Sequence, residues 1–276
     1  MEDIYAGYWG DDMRILLVGR GWVGNKMYIE LIKRGHTVTF VSRTDAFLKL
    51  ETTKFDWVVN AAGVTGTPNV DACELDKFNT FQGNTTYPIE LYEACKTSGI
   101  SFSHFSSGCI YEGNIESVDT NPNFFGSTYS ISKGISDTYL KDKAQVYRIR
   151  MPFTVFDEPK NFLTKVIKYA KTGKLYEGGL NSLTYLDDAI TVACDLIEES
   201  APNGPYNLVN GGAATMHDIV RIFKLNPQWF TAEEFKAATA CGRSNCVIPS
   251  HPKMPSVLDR LELAASYLLD KQKTNN

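Results

Sequence analysis

The stretch from Arg14 to Gly35 limits the fold more than any other part of the chain. Arg14-Ile15-Leu16-Leu17-Val18 is a short apolar run of β-forming residues, the composition of a strand buried on both faces of a parallel sheet. It runs into Gly19-Arg20-Gly21-Trp22-Val23-Gly24, a Gly-x-Gly-x-x-Gly. A helical pattern follows from Met27 to Arg34 and stops at Gly35. Strand, glycine turn and helix in this order form the context in which a glycine triplet binds a dinucleotide. The glycines let the backbone approach a pyrophosphate, and the helix N-terminus offers it unpaired N–H groups. Gly19, Gly21, Trp22, Val23 and Gly24 are therefore the first candidate cofactor contacts.

The pattern continues down the chain. A second strand, Thr37 to Val41, ends at Ser42-Arg43. An acidic residue here would hydrogen-bond the ribose 2′-hydroxyl of NAD. Arg43 instead offers a cation to a 2′-phosphate, which favours NADPH and leaves NADH as the alternative. A solvated surface arginine is the competing reading. Trp57-Val58-Val59-Asn60 is the next buried strand, and it leads into Ala61-Ala62-Gly63, small residues that admit a cofactor closely. Val64 to Glu74 is polar and turn-rich. A helix is expected from Thr85 to Thr97, with Gly99 as its stop, and strands at Ile100–Phe105 and Gln145–Arg150. Further helices are expected at Lys165–Lys171 and Asp187–Glu199, and a strand at Tyr206–Val209. Such alternation predicts an α/β chain with a Rossmann-type, doubly wound parallel sheet. It assigns 13–150 and 186–212 to a cofactor domain, and 151–185 and 213–276 to a smaller, mostly helical substrate lobe. Residues 1–12 are left as an N-terminal extension.

Composition removes several classes of function. A net charge of −4 without a Lys/Arg cluster gives no support for nucleic-acid binding. No apolar run approaches the ~20 residues that cross a bilayer. The opening MEDIYAGYWGDD is acidic and aromatic, unlike a signal peptide. The six cysteines (Cys73, Cys95, Cys109, Cys194, Cys241, Cys246) are scattered without a Cys-x-x-Cys and read as reduced thiols of a cytoplasmic protein. The Asn84-Thr85-Thr86 sequon is then idle. No metal is expected, because the His residues are not spaced to complete a site with Cys241 and Cys246.

The chemistry is concentrated between Phe105 and Lys133. Ser106 and Ser107 end a strand, Cys109 follows, and Tyr129 stands four residues before Lys133. Positions i and i+4 share a helix face. Lys133 is therefore expected beside the Tyr129 phenol, lowering its pKa as a proton donor to a carbonyl requires. The same spacing recurs at Tyr92/Lys96, Tyr139/Lys143 and Tyr267/Lys271, so the neighbouring strand and the upstream glycine turn single out Tyr129. From spacing alone, Cys109 reads as a small buried residue at a strand end.

Together, the glycine fingerprint, Asn60-Ala61-Ala62-Gly63 and Tyr129-x-x-x-Lys133 resemble the extended short-chain dehydrogenase/reductase family. More narrowly, NAAGVTGTPNVDACE, SGCIYE, NPNFFGSTYSISKG, RIRMPF, PKNFLTK and NSLTYLDD look like the UDP-4-keto-6-deoxyglucose 3,5-epimerase/4-reductases that make UDP-L-rhamnose. The likeness runs from about Arg14 to beyond Tyr206 and returns at Arg243-Ser244-Asn245. It departs slightly in the glycine loop, and Ser107 stands where many relatives have Thr.

The resemblance implies a reductase set of Ser107, Tyr129 and Lys133 and an epimerase pair of Cys109 and Lys165. Tyr129 and Lys133 also meet the nicotinamide ribose, and Ser42, Arg43, Asn60, Ala61, Ala62 and Gly63 complete the cofactor contacts. Val64, Cys109, Asn161, Asn181, Ser182 and Arg243 are the implied substrate contacts, Arg243 holding the diphosphate bidentately. The implied partner is a nucleotide-sugar supplied by a separate 4,6-dehydratase, and a homodimer is allowed. Three readings compete: a reductase of an already epimerised dTDP- or UDP-ketosugar, a GDP-ketosugar epimerase/reductase, and a non-catalytic nucleotide-binding subunit. The second pairs its Cys with a His, and no His lies between His104 and His217. The third usually loses Tyr or Lys of the pair, and both are present.

Overall fold

The apolar runs become six parallel strands. Their spatial order is Thr37–Val41, Arg14–Val18, Trp57–Asn60, Ser101–Ser107, Gln145–Ile149 and Gly204–Asn207. This computed structural model describes the backbone of residues 12–274 and side chains as far as residue 269. Residues 1–11 of the expected N-terminal extension lie outside the described residues. Asp12 accepts a hydrogen bond from the Thr37 amide at 2.9 Å.

Arg14–Val18 reads as an unbroken apolar run because both of its faces are covered. Ile15 and Leu17 pack with Met27, Leu31, Ile190 and Ile197 on one side of the sheet. Leu16 and Val18 pack with Val58, Leu91, Tyr92 and Cys95 on the other. Each such fully buried side chain contributes on the order of 1.5–3 kcal/mol. The helices Trp22–Lys33 and Leu186–Glu198 cover the first face together. Arg34 locks them by reaching Glu30, Asp195 and Glu198 at 2.9, 2.9 and 2.6 Å.

The order of strands places the site. The second strand lies on one side of Arg14–Val18 and the third on the other. The carboxyl ends of Arg14–Val18 and Trp57–Asn60, aligned at Val18↔Asn60, therefore flank a crevice at a topological switch point.

Several elements differ from expectation. The helix expected at Lys165–Lys171 runs Phe162–Thr172, and the strand expected at Tyr206–Val209 runs Gly204–Asn207. The first helix starts at Trp22, directly after the glycine turn, rather than near Met27. The helix expected over 85–97 runs Tyr87–Thr97 and is preceded by a wide π turn at Gln82–Thr86 and a further short helix, Lys77–Phe81. Pro88 has no N–H to give the Asn84 carbonyl, so the ladder opens at that point.

A second core gathers Phe153, Leu163, Val166, Leu183 and Tyr185 with Ile219, Phe223, Leu261 and Leu268. Its helices are Phe162–Thr172, Met216–Ile222 and Val257–Thr274. Among the described residues no helix is long and apolar enough to cross a membrane, and no cluster of His, Cys, Asp and Glu suits a metal.

Candidate active site

The glycine turn is built for a ligand at its centre and for packing at its flanks. Gly19 has φ +109°, and a Cβ there would lie 2.5 Å from the Ala62 amide nitrogen. A Cβ on Gly24 would lie 1.9 Å from the Gly19 carbonyl oxygen. Both positions are glycine because backbone passes against backbone. Gly21 has open space instead and faces the cavity with Trp22 and Val23. The helix after it has no side-chain cap and no acidic residue in its first turn, which leaves its amides free for a phosphate. The Trp22 indole N–H is buried without a hydrogen-bond partner among the described residues. These features fit a dinucleotide.

The floor of the crevice is tied down by two asparagines. Asn60 is fully buried. It accepts from the Ala62 amide at 3.0 Å and donates to His104 Nδ1 at 3.1 Å. It therefore shapes Ala61-Ala62-Gly63 from behind, while those three line the cavity. Asn84, in the π turn, accepts from the Val64 amide and donates to the Val64 carbonyl, both at 2.8 Å, and to Ser132 Oγ at 3.2 Å. Asn84 was not among the expected contacts. Its signal was the sequon, which points to glycosylation only where the asparagine is exposed. Val64, expected at the substrate, is held by this clamp, and its side chain packs over Gly83, away from the cavity.

Two arginines flank the end of the second strand. Arg43 is exposed, lies 5.9 Å over the Tyr87 ring, and accepts the Tyr87 hydroxyl on its carbonyl. Ser42 donates to Asp45 at 2.6 Å. Arg20, from inside the glycine turn, donates to the Phe40 carbonyl at 2.7 Å and lies 5.7 Å over the Phe40 ring. Neither arginine forms an ion pair among the described residues.

The reactive groups converge at the end of the strand Ser101–Ser107. The Ser107 hydroxyl accepts from the Cys109 amide at 3.0 Å and also reaches the Tyr129 phenol. Tyr129 opens the helix Thr128–Leu140, whose start is fixed by Ser127 as N-cap and by Glu74, which accepts from the Thr128 amide and hydroxyl at 2.6 and 2.7 Å. Lys133 is buried and donates to the Phe105 carbonyl at 3.0 Å; burial brings its pKa down to about 8, against the pull of Asp137.

One expectation is corrected here. Burial, with the Cys109 thiol beside it, raises the Tyr129 pKa, and the groups opposing that rise are Ser107 and Arg150. The Lys133 ammonium donates to the strand carbonyl rather than to the phenol.

Ser107, Cys109, Tyr129, Lys133 and Lys165 all line one cavity of about 880 Å³ that reaches back to Gly21 and Trp22. Cys109 is half-buried. Lys165 donates to the Pro68 carbonyl at 3.4 Å, and burial, with Lys160 nearby, lowers its pKa.

The expected substrate contacts divide. Asn161 is fully buried as the N-cap of Phe162–Thr172, accepting from Leu163 and donating to the Thr154 and Phe156 carbonyls. Ser182 is also fully buried and accepts from the Ile248 amide at 3.0 Å. Both serve the fold, because their polar atoms are consumed by backbone. Asn181 lines the cavity, yet its oxygen is taken by Arg150 and the Cys246 amide. Arg243 also lines it and is paired with Asp71 at 2.6 Å.

Comparison with known proteins agrees with this geometry. The family model described as NAD dependent epimerase/dehydratase matches residues 15–210. The chain belongs to the NAD-dependent epimerase/dehydratase family. Within it, the chain is 31% identical to a bifunctional dTDP-4-dehydrorhamnose 3,5-epimerase/dTDP-4-dehydrorhamnose reductase of Arabidopsis thaliana, over 83% of each chain. It is 30% identical to a trifunctional Arabidopsis enzyme, a UDP-glucose 4,6-dehydratase joined to a 3,5-epimerase and UDP-4-keto-L-rhamnose-reductase. That match covers 84% of this chain and 38% of the longer one. Among solved structures, the L780 UDP-rhamnose synthase of Acanthamoeba polyphaga mimivirus superposes with a TM-score of 0.83 at 27% identity, covering 93% of this chain and 99% of that one. A Bacillus anthracis dTDP-4-dehydrorhamnose reductase in complex with NADP shares the fold at a TM-score of 0.76 and 18% identity, covering 94% and 99%.

Proposed function

We propose that this family member is a bifunctional 3,5-epimerase/4-reductase that converts UDP-4-keto-6-deoxy-D-glucose to UDP-L-rhamnose with NADPH. The observation that carries the proposal is the shared cavity: a thiol, a phenol, a serine hydroxyl and two lysines line a single space continuous with the glycine turn. The relatives that pair epimerase with reductase activity support the same combination of steps.

The ketone at sugar carbon 4 acidifies the hydrogens on carbons 3 and 5. In this account Cys109 and Lys165 form the acid/base pair that removes each proton and returns one to the opposite face, inverting the centre. The lowered pKa of Lys165 suits proton exchange nearer neutrality. Ser107 and Tyr129 receive the negative charge that develops on the carbonyl oxygen. Bound NADPH supplies hydride for carbon 4. Tyr129 gives its proton to the same oxygen, and Lys133, beside Gly63, holds the ribose side of the site.

The first helix turn and Ala61-Ala62-Gly63 would hold the pyrophosphate and nicotinamide end, with Arg20 and Arg43 as cations for a 2′-phosphate. Residues 151–185 and 213–276 would form the substrate lobe, with Arg243 released from Asp71 to the diphosphate. A 4,6-dehydratase activity would then supply the ketosugar.

The test is incubation with NADPH and either UDP- or dTDP-4-keto-6-deoxyglucose, with the product sugar identified by NMR. L-rhamnose from the UDP-sugar is the expected product. Preference for the dTDP-sugar moves the base assignment. Turnover only of an already epimerised ketosugar leaves a reductase alone, and absence of NADPH oxidation with every ketosugar removes the proposal.

A further inference from the structure

Arg150 follows the strand Gln145–Ile149, and its side chain is 1% exposed. A buried guanidinium is ordinarily paired with a carboxylate. Arg150 has no ion pair among the described residues. Its donors meet neutral oxygens only: Ser244 Oγ at 2.9 Å, the Ser244 carbonyl at 2.7 Å, the Gly108 carbonyl at 3.4 Å, and the Asn181 side chain. Its Nε has no hydrogen-bond partner among the described residues.

The position of this charge is as specific as its isolation. Gly108 lies between Ser107 and Cys109, and a Cβ there would meet the Arg150 stem at 3.2 Å. The arginine therefore lies flat against the backbone that presents the serine and the thiol. The next residue, Met151, holds φ at +42° and lines the cavity. A non-glycine residue in that region is strained, and its surroundings must hold it in place.

We infer that Arg150 is a positioning residue of the reductase step, a fixed positive charge beneath the site that offsets the negative charge left on Tyr129 when the phenol gives up its proton. In that step carbon 4 would take hydride from the bound cofactor, the C=O π pair would pass to the carbonyl oxygen, and that oxygen would take the proton as the phenol O–H bond breaks. The electron pair stays on Tyr129 until solvent returns a proton. This inference rests on the function proposed above for the same site.

Several charged groups surround Tyr129: Glu74 holds the amide of the preceding residue, and Lys165 and the Arg243–Asp71 pair line the same cavity. Cys109 and Cys73 oppose its ionisation, and Ser107 and Arg150 favour it. Lys133, on the same helix, donates to the neutral Phe105 carbonyl and is a further buried cation of the site. The neighbouring His104 is held neutral by burial and by Lys133. Arg150 adds to Lys133 a second buried cation, set behind the Ser107–Cys109 turn that faces the phenol.

The test places a ring-fluorinated tyrosine at position 129 and follows its deprotonation by fluorine NMR without cofactor. Arg150→Gln removes the charge. Ser244→Asp leaves the arginine in place and puts a carboxylate beside it, which covers the case in which Arg150→Gln does not fold. Both should move the midpoint up by about 1–2 pH units, the scale of one opposite charge nearby, and Arg150→Lys should restore most of it. The same two variants should reduce a ketosugar about 10- to 100-fold more slowly at neutral pH. Equal midpoints in the unsubstituted protein and both variants would overturn the inference, whatever the turnover. A shifted midpoint in a protein that reduces no ketosugar would uphold the electrostatics and remove the proposed substrate.

Discussion

Arg148 and Arg150 lie two residues apart, and burial hides both, yet their surroundings are opposite. Arg148 meets the Asp137 carboxylate through Nε at 2.9 Å and Nη2 at 2.6 Å. Ser106 donates to the same carboxylate at 2.6 Å. That charge is cancelled, and it fastens the helix Thr128–Leu140 to the sheet. Arg150 meets no carboxylate among the described residues and lies against Gly108 at the edge of the cavity. On the mechanism proposed above, charge is neutralised where it holds elements together and left without a carboxylate where a proton is to move.

Four substitutions test that contrast. The largest effect is expected at the open end. Tyr129→Phe should slow ketosugar reduction by about 10²–10⁴-fold, while the denaturant midpoint stays level or rises. Normal turnover would take the phenol out of the mechanism. At the neutralised end, Asp137→Ala strands Arg148 and should cost about 3–5 kcal/mol of stability, read by urea unfolding. A loss below about 1 kcal/mol would show that the pair does not anchor the helix.

Lys133→Met should do the reverse and stabilise the fold by roughly 1–3 kcal/mol near pH 7, while reduction is lost. The sign follows from its folded pKa of about 8, below the ordinary 10.5. The buried ammonium opposes folding at every pH below about 8. That penalty is shed as pH rises from about 8 to 10.5. Unfolding curves at both ends of this window should converge for the two proteins at high pH, and a constant gap would contradict the assignment. The smallest effect is expected at Asn161→Ala, which removes a helix cap worth about 1 kcal/mol and should leave KM for the sugar unchanged. A raised KM would return Asn161 to the substrate site.

The sheet was legible in the sequence because parallel strands buried on both faces read as continuous apolar runs, as Arg14–Val18 and Trp57–Asn60 do. Cys109, Tyr129 and Lys165 were legible through chemistry and resemblance, and they share the cavity. What stayed hidden depends on three-dimensional neighbours. Asn161 and Ser182 carry polar atoms that suit either a ligand or a backbone, and only the fold shows that backbone takes them. Lys133 has the spacing to reach Tyr129, yet a carbonyl on the adjacent strand captures its ammonium. Arg150 resembles Arg148 in sequence. Nothing in the order of residues reveals that one finds Asp137 and the other does not.

The central claim is that one cavity carries both proton exchange and reduction on a single sugar. The most direct measurement is turnover of the ketosugar in deuterated water by the Cys109→Ala variant, with deuterium at carbons 3 and 5 read by NMR. Exchange should be lost while an already epimerised ketosugar is still reduced with NADPH. Exchange that continues at the unsubstituted rate would contradict the account.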